Sequence, residues 1–174
     1  MCDEFCGPAL AAWLAGGPGG PRRRLDDWAR AGNGVALLPA GHRWDAVRVP
    51  ERPGHQVLAR LRDGSAPVGP AMWDRRCGFL YFLVPPRAGD VWSPLGLRFL
   101  TRGGWLAAAD PRRPARHPAL WLCSGDDAEL TGPAYLYLAC MEVLTAGARR
   151  LPRVSAPLWP GCRPFTPAAP TAPA

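Results

Sequence analysis

Paired acids, histidines and cysteines are the residues of this chain whose types could bind a metal or move a proton, and their spacing decides whether they do. Asp26-Asp27 and Asp126-Asp127 are adjacent carboxylates that could share a divalent cation. Neighbouring acids at a helix start or in a turn more often complement the helix dipole or face water, and both pairs are read that way. His42, His55 and His117 have no carboxylate or cysteine at ligand spacing. His55 opens a helix and His117 lies in the Pro-Arg-rich run from Pro111 to Pro118, so both are expected in solvent. Of Cys2, Cys6, Cys77, Cys123, Cys140 and Cys162 only the first two are close. Zinc wants two close pairs, or one pair with nearby histidines. The cysteines therefore read as small apolar residues of a reduced, cytosolic chain. No glycine-rich phosphate loop with its lysine and no G-x-S-x-G elbow is present, so no enzyme class is specified. Catalytic residues, metal ligands and cofactors are accordingly assigned as none.

Anion recognition is the other chemistry on offer. The formal net charge is +7, and every basic residue is arginine, with no lysine and no isoleucine in the chain. Abundant Ala, Gly, Pro and Arg together resemble GC-rich coding, so part of the arginine excess is compositional. High basicity argues for nucleic-acid affinity, but here with a discount. Eight tryptophans, Trp 8 of 174 residues, are expected mainly in the core, since each buries a large apolar surface.

The elements that must position these residues follow from periodicity. With 48% hydrophobic residues over 174 positions the chain can bury a core as one domain. Phe5 to Ala15 reads as a short helix, and Leu25, Trp28 and Ala29 have helical spacing with Gly32 as a stop. Gly34 to Pro39 reads as a buried strand. Trp44 to Val49 alternates, with Trp44, Ala46 and Arg48 on one face and Asp45, Val47 and Val49 on the other. From Gly54, Val57, Leu58 and Leu61 mark a short amphipathic helix. Val68 to Trp73 and Gly78 to Val84 form a hairpin, with the aromatic Phe79 to Leu83 run as a central strand. Leu97 to Thr101 and Trp105 to Ala109 read as a second hairpin across Arg102-Gly103-Gly104, and Ala119 to Cys123 as a further strand. A last helix has Thr131 as its cap, Pro133 in its first turn, and Leu136, Cys140, Val143 and Leu144 on one face.

This order predicts an α+β fold with a mostly antiparallel sheet and flanking helices. The domain is placed at residues 1–151. Residues 152–174 have proline every few positions and read as an extended or disordered Pro/Ala-rich tail. The acidic start Met1-Cys2-Asp3-Glu4 lacks the form of a secretory signal, and stretches such as Phe79 to Pro86 are too short to span a bilayer. A cytoplasmic chain without membrane contact is expected.

Three segments together carry a resemblance. They are Trp44 to Pro50, Cys77 to Pro85, and Leu97 to Ala107 with its Arg98 and Gly103-Gly104. In order and spacing they resemble the N-terminal domain of bifunctional DNA primase/polymerases, the prim-pol branch, and especially its short actinobacterial forms. The similarity covers roughly Gly34 to Pro111 and implies that the antiparallel sheet is RRM-like or primase-palm-like. It implies an active site of two aspartates one residue apart on a strand, a histidine before an aromatic strand, and a further aspartate ahead of a Gly-Gly turn. Carboxylates on one strand face would hold the cations that bridge nucleotide and primer. Those positions fall here on Arg48, Pro50, Phe79 and Gly96. Arginine and proline in place of metal ligands reverse the local charge and repel Mg²⁺.

The resemblance therefore implies a catalytically degenerate primase/polymerase-like domain that binds single-stranded nucleic acid or a nucleotide. The residues assigned to that binding are Arg48, Arg75, Arg76, Arg98, Arg102 and Trp105, because arginines beside an aromatic ring hold phosphates and stack bases. Two alternatives stand beside it. One is a protein-interaction module that engages a partner through the proline-rich tail. The other is an active primase or polymerase using unrecognised acids such as Asp45 or Asp90.

Overall fold

The fold is that of a computed structural model, which describes residues 7–16, 20–64, 67–92, 95–113, 119–122 and 129–148. The expectations for the tail, for Asp126-Asp127, for His117 and for Cys2, Cys6, Cys123 and Cys162 lie outside the described residues. Two helices open the described chain, α1 (Pro8–Ala15) and α2 (Pro21–Arg30). Strands β1 (Val35–Pro39) and β2 (Asp45–Pro50) lead into α3 (Glu51–Asp63). Then come β3 (Ala71–Asp74), β4 (Phe79–Val84), a 3-10 turn at Ala88–Val91, β5 (Arg98–Leu100), β6 (Trp105–Ala109), β7 (Ala119–Leu122) and α4 (Pro133–Ala148). The architecture is α+β, as expected. All strand pairs are antiparallel, in a five-stranded sheet ordered β5-β2-β4-β3-β7 and a two-stranded sheet of β1 and β6.

The five-stranded sheet is covered on both faces, which explains why its central strands carry apolar residues at nearly every position. On one face Val47, Val49, Leu80, Phe82 and Val84 meet Val57, Leu58 and Leu61 of α3 and Leu136, Ala139 and Cys140 of α4. On the other, Trp44, Ala46, Met72 and Leu83 meet Leu10, Ala11 and Leu14 of α1, Trp28 of α2, and the inner residues of the two-stranded sheet, Ala36, Leu38, Leu106 and Ala108. The alternation expected for β2 is the division of that strand between the two cores. The central strands owe their order to α3, which carries the chain from β2 past β4 to β3, a split βαβ arrangement.

The β3–β4 hairpin forms as expected, and its turn has a local cause. Oδ1 of Asp74 accepts the amides of Arg76 and Cys77, both at 3.0 Å. Gly78 closes the turn in the left-handed region at φ 70°.

The second expected hairpin does not exist. β5 pairs with β2, and β6 pairs with β1 in the other sheet. The turn between them is as tight as a hairpin's, with the Gly104 amide donating to Thr101 O at 2.8 Å. What the chain builds is a bent ribbon. The segment from β1 into β2 pairs with the segment from β5 into β6, and both bend at the same corner. There Gly41, at φ 83°, lies against the backbone of Arg102, and an added Cβ would collide with it. Strands that pass from one sheet to another at such a bend join sheets packed across each other.

Two smaller expectations also change. Thr131 is fully buried, and its hydroxyl accepts the Gly69 amide at 3.0 Å, tying the loop before β3 to α4 rather than capping that helix. His55 is half-buried inside α3, edge-on to Trp73 with ring centroids 4.6 Å apart. No helix among the described residues is long and apolar enough to cross a membrane.

Candidate functional site

The ladder around β2 sets the site. In register, Arg48 is opposite Tyr81 of β4 on one side and opposite Arg98 of β5 on the other. All three side chains belong to the sheet face that the two-stranded sheet covers only in part, so a cleft of about 360 Å³ opens there. Arg48, Tyr81, Arg98, Asp74, Cys77 and Trp105 line it. Trp105 enters from the first position of β6 and is 57% exposed, so it is not a core residue. Trp28, Trp44 and Trp92 follow the expectation of core use and are buried, while Trp13, Trp73 and Trp121 are half-buried.

Electrostatics leave this cleft with uncompensated positive charge. Two arginines directly opposite each other destabilise a sheet. Among the described residues neither Arg48 nor Arg98 has a carboxylate within ion-pair distance. The Arg48 guanidinium lies 4.2 Å from the centroid of the Phe79 ring, which holds it in place without neutralising it. Burial pushes the Tyr81 hydroxyl above its ordinary value, against the pull of the neighbouring Arg48, while Asp74 and Cys77 add to the rise. Tyr81 is therefore a neutral hydroxyl at physiological pH. Asp74 is the one acid lining the cleft among the described residues, and its Oδ1 is committed to the turn amides.

Of the six residues assigned from sequence, Arg48, Arg98 and Trp105 come together here. Arg75 and Arg76 are exposed in the β3–β4 turn. Arg75 reaches the ring of Trp73, 5.4 Å from its centroid, and Trp73 packs on the opposite face of the sheet. Arg102 sits at the bent corner, exposed and outside the cleft lining. Sequence reasoning gave no role to Asp74 or Cys77. Their membership depends on the hairpin register, in which Asp74 faces Phe79 and Met72 faces Tyr81. Periodicity ends the strand at Trp73 and leaves Asp74 in the turn, so the pairing that carries it towards Arg48 is not legible in the sequence.

Of the acids proposed as alternatives, Asp45 does not join the cleft. Asp45 is on the opposite face of β2, 1% exposed, with Oδ2 accepting the Arg87 amide at 2.8 Å. Burial raises its pKa, and the Arg87 and Gly41 amides pull it the other way. Asp90 belongs to the 3-10 turn. Asp26 and Asp27 both pair with the exposed Arg30, at 3.6 and 3.3 Å. Among the described residues no group of three or more His, Cys, Asp or Glu is arranged to hold a metal ion. Cys77 is exposed at the cleft and Cys140 is buried in the core, where burial pushes its thiol up to about 12.

Compared with protein-family models, curated proteins and solved structures, the chain matches none of them.

Proposed function

We propose that this domain binds a phosphate-bearing ligand, single-stranded nucleic acid or a nucleotide, in the Arg48–Arg98 cleft, as a catalytically degenerate relative of the DNA primase/polymerases. One observation carries the reading: two arginines without acidic partners face each other across a ladder, beside an exposed tryptophan, at a cost to the sheet that an anion would offset. The degenerate half is supported by β2 itself. Arg48 and Pro50 share one strand face, the arrangement two metal-binding carboxylates would need, and neither can ligate a cation.

The test is a fluorescence-anisotropy titration of labelled oligo-dT against the protein over a range of salt. Binding is expected to weaken linearly in log–log form, with a slope of about −0.7 per phosphate neutralised. R48A and R98A should each flatten that slope by about 0.7. No binding at low ionic strength ends the proposal. Primer extension with Mg²⁺ or Mn²⁺ should give no product, and template-dependent product would overturn the degenerate half.

A second reading, a protein-interaction module, is favoured by a separate feature. Tyr135 and Leu138 of α4 are 56% and 59% exposed, one helical turn apart and away from the cleft. A partner isolated with the full chain should be lost from Y135A/L138A while oligo-dT binding is retained. Retention of the partner in that variant removes α4 from the reading.

A further inference from the structure

Trp105 belongs to two recesses, not one. On its far side α2 and the outer face of β1 enclose a second hollow of about 530 Å³, lined by Arg23, Arg24, Asp27, Val35 and Leu37 together with Trp105. Asp27 already pairs with Arg30 at 3.3 Å, which weakens its repulsion of an incoming anion. Leu37 is 62% exposed, so an apolar floor adjoins the tryptophan on this side. The surface thus runs guanidinium, aromatic ring, guanidinium.

We infer that the ligand is an oligonucleotide lying across Trp105, one base on the indole and backbone phosphates in both recesses. This rests on the proposed reading of the Arg48–Arg98 cleft and adds the class of ligand. A single strand presents anions at regular intervals with a base between them, and that repeat matches the order of the surface. A mononucleotide carries its phosphates on one side of its base, so it reaches one recess and leaves the other empty. The flat face of Trp105 accepts any base, which makes the site tolerant of sequence.

A length series tests the inference: labelled dTMP, then dT tetramer and octamer, with the matching oligo-U to separate DNA from RNA. The tetramer is expected to bind at least tenfold more tightly than the mononucleotide, through the second set of phosphates. R23A/R24A should lose that gain and flatten the octamer's salt slope, while dTMP binding stays as in the parent. W105A should weaken the octamer roughly tenfold by loss of stacking, with the fold verified by thermal melting. If dTMP binds as tightly as the octamer, or R23A/R24A binds the octamer unchanged, the two-recess site is wrong and the Arg48–Arg98 cleft still stands. If no variant and no length differs from the parent, both fall.

Discussion

Arg98 and Arg48 stand side chain to side chain in the β2–β5 ladder, and this arrangement separates binding from folding in one substitution. Threonine at position 98 is a good strand residue and removes the like-charge contact. Arg98→Thr should therefore stabilise the domain by about 0.2–1 kcal/mol, read as a rise in Tm, while oligo-dT affinity falls. A fall in both would mean that Arg98 holds the sheet together and that its charge serves no ligand. Asp45 gives a second prediction, with a definite sign. Its pKa is raised by burial in the folded chain. The stabilising contribution of its protonated form is complete below the unfolded value of 3.8 and is lost as pH rises through the folded value. Asp45→Asn keeps a carbonyl oxygen for the Arg87 amide and cannot ionise. Relative to the variant, the parent should lose stability as pH climbs from about 4, seen in urea melts across that range. Parallel curves for the two proteins would show that Asp45 is not strained by its charge. These residue-scale features differ in how far they can be read from sequence. Arg48 is assigned to one face by alternation alone, but the burial that makes Asp45 unusual is set by the folded chain around it, where the Arg87 amide arrives from 42 residues away.

Elements show the same boundary between local and non-local information. α3, the β3–β4 hairpin and α4 each announce themselves through contacts within one segment: helical spacing, an Asx turn, an apolar stripe. The β5–β6 turn also announces a hairpin, and locally it is one. Its strands nevertheless part, because β1 and β2 offer pairing partners on either side of the corner where Gly41 admits the Arg102 backbone. No window of sequence contains both halves of that ribbon, so the departure is invisible before the fold is known. α3 illustrates a conflict that can be measured. Gly54 is an interior helix residue, and alanine there should gain roughly 1 kcal/mol of helix propensity. An added Cβ would lie 3.0 Å from Cβ of Leu80, which is buried in the central strand and paired on both sides. Leu80 cannot yield, and overpacking of this kind costs about 1–3 kcal/mol. Gly54→Ala should consequently lower stability by about 1 kcal/mol net. A more stable variant would show that the helix rides further from the sheet than the close approach indicates.

At the scale of the molecule, the two recesses depend on the layer that roofs the five-stranded sheet. That layer is assembled from α1, α2 and the β1–β6 ribbon, and Trp28 is the pin through it. The residue is 1% exposed, and its indole Nε1 donates to Ala108 O of β6 at 2.9 Å. This bond joins the helix bearing Arg23 and Arg24 to the strand bearing Trp105, so it fixes the second recess while leaving Arg48 and Arg98 untouched. Phenylalanine at position 28 preserves an aromatic ring and strips a buried carbonyl of a donor, a loss of about 1–3 kcal/mol. For a chain of this size each kcal/mol corresponds to roughly 2–4 °C in Tm. Trp28→Phe should melt a few degrees lower and, well below its Tm, bind dTMP like the parent but lose part of the octamer's advantage. The two ligands fail together only if α2 and the Arg48–Arg98 cleft are one rigid unit. In that case the hydrogen bond positions both recesses together, and the second cannot be loosened separately from the first.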